Sequence, residues 1–203
     1  MKNRFSKYKR RFKRQIINLL FHKPKLLKYT LLSTCHTIQG KAKCIQAVQF
    51  NGNGQIKIGE NVQIGFDPSP FLYSGYGYIE ARKEESIVSI GDNVTINNNI
   101  VIICESEGIS IGSKTLIGSN CEITDSDFHH LDPIKRHTEK ANVKKVVIEE
   151  NVFIGSNVKI LKGVTIGQNS VIANGSIVSK SIPSNVIAAG IPAKVIKPLT
   201  DTH

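Results

Sequence analysis

The sequence has no C-x-x-C pair. Its four cysteines, Cys35, Cys44, Cys104 and Cys121, are too scattered for a disulfide scaffold or a zinc ribbon, and they point to a reducing, cytoplasmic compartment. No apolar run approaches the ~20 residues that cross a bilayer. The N-terminus lacks both an apolar h-region and a small-residue cleavage site, so neither membrane spanning nor secretion is expected. Acid is missing from residues 1–43, which hold 13 of the 27 Lys and Arg. The rest of the chain carries 14 basic against 16 acidic residues, so the net charge of +11 belongs to an arm and not to the body. Within residues 1–21, Phe5, Tyr8, Phe12, Ile16 and Leu19 recur at helical spacing with Lys and Arg between them. That pattern predicts an amphipathic basic helix for an anionic membrane surface at the inner face of the cell membrane, or for docking on a subunit. It lacks the aromatic platform of a nucleic-acid binder, and no nucleic acid partner is expected.

What the sequence does have is a period of six. The series Ile148, Ile154, Ile160, Ile166, Ile172, Val178 runs without a slip, and shorter series run Ile58, Ile64, then Ile90, Ile96, Ile102, then Ile111, Ile117, Ile123. Gly59, Gly65, Gly91, Gly112, Gly118, Gly155 and Gly167 follow these positions, usually with a polar pair behind. A helix repeats every 3.6 residues and a half-buried strand every two, so neither accounts for six. A coil of short flat faces does. Each hexapeptide makes one face and one corner, the β-branched residue points inward, and Gly and Asn at the corners take up positive φ. Three faces close a coil of about 18 residues, and coils stack as in other solenoids.

The register breaks at 66–88 and at 125–146, and long interruptions of a regular solenoid are read as functional loops. The second holds His129, His130 and His137. The expected organisation is a basic, helical N-terminal arm over 1–43, an all-β coil over 44–198 with those two loops, and a tail over 199–203.

From about Ile90 to Pro198 the chain resembles the hexapeptide-repeat acyltransferases, in particular the maltose and galactoside O-acetyltransferases and their surface-polysaccharide relatives. The resemblance is carried by Ile96-Asn97-Asn98-Asn99-Ile100, by Ser126-Asp127-Phe128-His129, by Ile148 to Gly155, and by the terminal Ala188-Ala189-Gly190-Ile191-Pro192-Ala193-Lys194-Val195-Ile196. It implies a left-handed parallel β-helix, a homotrimer with active sites between subunits, and acetyl-CoA as co-substrate. It also implies His129 as general base, although His130 follows where the family usually has Pro, and Asn97 lining the active site. Ser156, Asn174, Lys180 and Lys194 fall where the family lines the acetyl-CoA channel, and Asp127 and Arg136 are the expected substrate-binding residues.

A sugar hydroxyl is a poor nucleophile toward a thioester at neutral pH, and a histidine is the natural base for it. A backbone carbonyl, or a nearby carboxylate such as Asp127 or Asp132, would hold its tautomer. The oxyanion of the tetrahedral intermediate needs a donor, from a backbone N–H or from Asn97. No nucleophilic serine or cysteine motif is present, which favours direct transfer. No metal is expected, because the adjacent His129 and His130 cannot easily face one ion. The leading expectation is a sugar O-acetyltransferase. The alternatives are an N-acyltransferase of a nucleotide-linked amino sugar, or a non-catalytic β-helix with a membrane- or nucleic-acid-binding arm.

Overall fold

The computed structural model describes residues 2–199; the expected tail lies outside them beyond Leu199. The body is a left-handed parallel β-helix of three faces. The first face stacks Ile38–Gln39, Gln55–Ile58, Ile87–Ile90, Ile109–Ile111, Val146–Ile148 and Thr165–Ile166. The second stacks Lys43–Cys44, Gln63–Ile64, Thr95–Ile96, Leu116–Ile117, Phe153–Ile154, Val171–Ile172 and Val186–Gly190, and ends on the antiparallel strand Ala193–Pro198. The third stacks Val48–Asn51, Gly77–Ala81, Val101–Cys104, Glu122–Thr124, Lys159–Ile160 and Ile177–Val178.

The six-residue series is the core. All fourteen of its Ile and Val residues are 8% exposed or less. Ile148 pairs with Ile166, Ile154 with Ile172, and Ile160 with Val178, each one coil of 18 residues on. A second inward residue, two before the next series position, fills the corner: Val62, Val94, Ile100, Val152, Val158 and Val164 are all buried.

The corners differ from expectation in one respect. Positive φ falls three residues after the core residue, on Asn61, Asn93, Asn99, Asn120, Asn151, Asn157, Asn169 and Asn185, with φ between 54° and 64°. These asparagines also bond from coil to coil, as in Asn120 Nδ2 to Asn157 Oδ1 at 2.8 Å and Asn151 Nδ2 to Asn169 Oδ1 at 2.9 Å. Of the glycines that directly follow the core residue, only Gly65 has positive φ. The others are small because the next coil lies against them: a Cβ on Gly118 would sit 2.5 Å from the Ser156 nitrogen.

Three boundaries are corrected. The arm does not reach residue 43, because Ile38–Gln39 and Lys43–Cys44 already belong to the first coil. There the six-residue spacing is carried by Ile38, Cys44 and Phe50, which hides it. Within the 66–88 interruption Gly77–Ala81 returns to the coil, pairing with Val48–Asn51 with Ile79 in the core position opposite Phe50, and a second break over 82–86, closed by the Ser86 N–H on the Lys83 carbonyl, precedes Ile87–Ile90. A third, short interruption at Glu105-Ser106-Glu107 makes Ile90 pair with Ile111, 21 residues on.

The arm is helical, as expected: α1 (Lys2–Ile17), a π-helical turn at Asn18–His22, and α2 (Lys23–Leu31). None of the helices among the described residues is long and apolar enough to cross a membrane.

Candidate active site

Two edges of the prism carry the residues singled out from sequence. The edge between the second and third faces follows Ile96, Ile117, Ile154, Ile172 and Ala188, which are stacked in register. It therefore collects Ser156 and Asn174, each two residues past its core residue, in a column, with Asn97, one residue past Ile96, on the same edge at the upper end. Lys194 joins them from the last strand, where it pairs with Ala189. The column is bonded from coil to coil: Ser156 Oγ accepts the Ser119 N–H at 3.1 Å, and the Ser156 N–H donates to Asn174 Oδ1 at 2.8 Å. Asn97 is half-buried, and its Oδ1 accepts the Asn98 N–H at 2.7 Å. Its amide NH₂ remains as a donor, the polarity that a developing oxyanion needs.

The interruption after Ile64 leaves from the upper end of this same edge. Asn98, fully buried, holds it by donating to the carbonyls of Phe66, Ser69 and Pro70 and accepting the Phe66 N–H. Sequence reasoning gave Asn98 no role, although it sits in the middle of the asparagine triplet. A hollow of about 180 Å³ opens here between arm and loop, lined by Arg14, Asn18, His22, Asp67 and Tyr73 among others.

The edge between the third and first faces carries the histidine loop. It follows Ile102, Ile123, Ile160 and Val178, so Cys104, Asp125, Lys162 and Lys180 form its column. Lys180 thus stands apart from Ser156, Asn174 and Lys194 within the chain. Asp125 roots the loop. Its carboxylate, fully buried, accepts the N–H groups of Glu105, Ser106, Glu107 and Gly108 at 2.6 to 3.2 Å, together with the Cys104 thiol at 3.3 Å. The third interruption is therefore a ring of backbone donors wrapped around one carboxylate. The Asp125 carbonyl accepts the Lys144 N–H where the loop returns.

Beyond this root, Asp127 Oδ2 is buried and lies 3.1 Å from the Lys162 ammonium, placed off the hydrogen-bonding axis, so the contact is one of charge. Phe128 is held at φ 61°, with the Arg82 guanidinium 5.3 Å from its ring centre. Arg82 pairs with Glu80 and Glu105, and Lys83 also pairs with Glu105. Burial alone would raise the Glu105 carboxyl, but the bonds from Lys83 and Arg82 outweigh it and hold the group below its ordinary value. Lys162 and Arg82 were not identified from sequence, because Asp127 faces Lys162 and Glu105 faces Arg82 only through the coil register.

His129 is exposed, and among the described residues its ring makes no hydrogen bond. The two carboxylates considered for orienting it are engaged elsewhere: Asp127 faces Lys162, and Asp132 Oδ1 accepts the Ile134 N–H at 2.9 Å. His130 has a local role, since its Nδ1 accepts the Asp132 N–H at 3.1 Å. Arg136 is exposed and braces the loop by donating to the Leu131 carbonyl at 3.2 Å. His129 and Asn97 sit on different edges, separated by a face of five to six residues, or roughly 15–20 Å at ~3.3 Å per residue.

Residues 145–180 match the bacterial transferase hexapeptide family (six repeats). The chain is 38% identical over 146 residues to galactoside O-acetyltransferase of Escherichia coli (strain K12), covering 71% of this chain and 64% of that protein. It therefore spans a little under two thirds of that relative's length. It is 35% identical over 156 residues to the "Putative lipopolysaccharide biosynthesis O-acetyl transferase WbbJ" of the same organism, covering 73% and 74% of the two chains. A solved galactoside acetyltransferase in complex with coenzyme A has a TM-score of 0.55 and 30% identity, covering 82% of this chain and 66% of that one.

Proposed function

The chain belongs to the hexapeptide-repeat acetyltransferases, and from that premise we propose that it transfers the acetyl group of acetyl-CoA to a sugar hydroxyl. The acceptor is a bacterial surface polysaccharide or its precursor, in keeping with the relatives' names, and the reaction runs in the cytoplasm. The observation that carries the reading is the single edge holding Asn97, Ser156, Asn174 and Lys194.

Coenzyme A lies along that edge, with Lys194 supplying charge to its phosphates at the lower end. The acceptor enters from the upper end, where Arg14, His22, Asp67 and Tyr73 offer polar groups and an aromatic face. His129 comes from a second copy. One chain holds its histidine loop and its Asn97 on separate edges, and a closed ring of three copies sets one edge against the next. Lys180, on the histidine edge, then faces the cofactor from the neighbouring subunit.

In the transfer step His129 takes the proton of the sugar hydroxyl as its oxygen attacks the thioester carbonyl carbon. The Asn97 NH₂ donates to the carbonyl oxygen as negative charge gathers there. Collapse of the tetrahedral intermediate breaks the carbon–sulfur bond. The CoA thiolate leaves and receives the proton from His129. A free imidazole ring suits this role, because the acceptor hydroxyl itself becomes its hydrogen-bond partner.

The test is release of the CoA thiol against a panel of mono- and oligosaccharides. His129→Ala should lower turnover by about 10²–10⁴-fold with acetyl-CoA binding intact, whereas wild-type turnover in that variant would contradict the reading.

A further inference from the structure

The arm is an amphipathic helix that docks the wrong way round. Arg14, Asn18, His22, Lys25 and Tyr29 recur at steps of three or four and form one stripe. That stripe faces the protein. Arg14 pairs with Asp67 at 3.0 Å, His22 Nε2 donates to the Ile45 carbonyl at 2.6 Å, and Lys25 donates to the Tyr73 and Gly75 carbonyls. Tyr29 stacks on Tyr76, with ring centres 4.1 Å apart. The opposite stripe, Phe12, Ile16, Leu20, Leu27 and Leu31 with Leu19 beside it, faces away: Phe12 is 65% exposed, Leu19 61% and Leu31 75%. The side chains of Phe5 and Tyr8, expected on the same face, lie outside the described residues.

A surface helix ordinarily buries its apolar stripe and shows its charge to water. Here the polar stripe is used for docking, so the apolar stripe is left for another partner. Arg11 and Lys13 are exposed beside it, and no acidic residue occurs before Glu60. Packing two such arms together would bring the eight Lys and Arg of residues 1–21 in each copy together, with no acid in either arm and, among the described residues, Arg14 alone paired to one. An anionic bilayer meets both demands, since the apolar stripe enters the acyl boundary and the basic residues lie among the headgroups.

We infer that the outward face of residues 11–31 seats the protein on an anionic membrane surface. The acceptor end of the edge, which the arm lines, is thereby held close to that surface. A glycan tethered there is the substrate form that this placement favours. Surface binding does not depend on the acetyl-transfer reading, and it is measured with neither substrate present.

The experiment is co-sedimentation of the full chain with vesicles of phosphatidylglycerol and phosphatidylcholine, and with phosphatidylcholine alone. The wild type should pellet with the anionic vesicles only, and high salt should reduce the bound fraction about tenfold. A Phe12→Glu/Leu19→Glu variant, changed at exposed positions that leave the fold intact by circular dichroism, should lose binding at low salt by a similar factor while keeping the wild-type mass by light scattering. Failure of the wild type to bind, or equal binding by the variant, would overturn the inference. A fall in the variant's mass would show the face to be a subunit contact and would overturn it as well.

Discussion

Replacing Asp125 with alanine removes one buried carboxylate and with it the acceptor for four backbone N–H groups and the Cys104 thiol. Hydrogen bonds to a charged group contribute about 1.5–3 kcal/mol each, and a simple sum would approach 10 kcal/mol. That sum is too large, because Glu105 and Ser106 are only half-buried and Glu107 is exposed, so water can reach those donors after the change. Only Gly108 and Cys104 are enclosed. One N–H left unpaired, and a charge-assisted thiol bond lost although Cys104 keeps the Ile87 carbonyl at 3.7 Å, at ~1–3 kcal/mol each set the loss at about 3 kcal/mol. For a chain of this size that is roughly 6–12 °C in Tm. Asp125→Asn keeps one accepting oxygen but turns an NH₂ toward donors, so it should recover no more than about half of the loss. Differential scanning calorimetry of the two variants reads both numbers. A Tm within about 1 °C of wild type for Asp125→Ala would refute the claim that this carboxylate holds the third interruption and the root of the histidine loop.

Asn120→Ala should cost about 1–2 kcal/mol by chemical denaturation, from the left-handed backbone and the lost coil-to-coil bonds, while Asn120→Gly should cost clearly less. Lys194→Glu should raise the KM for acetyl-CoA with a smaller effect on the acceptor, and equal effects would remove Lys194 from the cofactor's end of the edge. Burial and then the Asp125 charge push the Cys104 thiol up to about 12, and burial pushes Cys121 up to about 11. Both thiols should therefore resist disulfide exchange at pH 8 in the folded protein and react on unfolding. Because the folded state favours the protonated thiols, stability should fall as pH rises from about 9 toward 12, which a series of denaturation midpoints would follow.

The body was legible in the sequence because each coil repeats one physical demand every six residues: a β-branched side chain inward, then asparagine where the chain turns through positive φ. Where different chemistry met that demand, as with Cys44 and Phe50 in the first coil, or where a loop displaced the count, as before Ile79, the period was hidden and the boundaries moved. The edge holding Asn97, Ser156, Asn174 and Lys194 was readable from the motifs. The separation of His129 and Lys180 from it was not, because which edge a residue occupies depends on counting corners through interruptions of unequal length. The arm showed its amphipathic spacing but not its orientation, which is set by single polar contacts such as Arg14 with Asp67 and His22 with the Ile45 carbonyl. Asp125 and Lys162 carried no signal at all, since their partners lie a coil away, and neither did the bond from Arg82 across to Glu105.

The central claim is that His129 of one copy acts across an edge on an acetyl group held beside Asn97 of the next. Its most direct test is co-expression of His129→Ala and Asn97→Ala chains, each inactive alone. Random assortment around a closed ring of three leaves about one quarter of the edges with both residues intact. CoA release should accordingly recover to about a quarter of the wild-type rate. Mixed protein that stays as inactive as either variant would contradict the shared site.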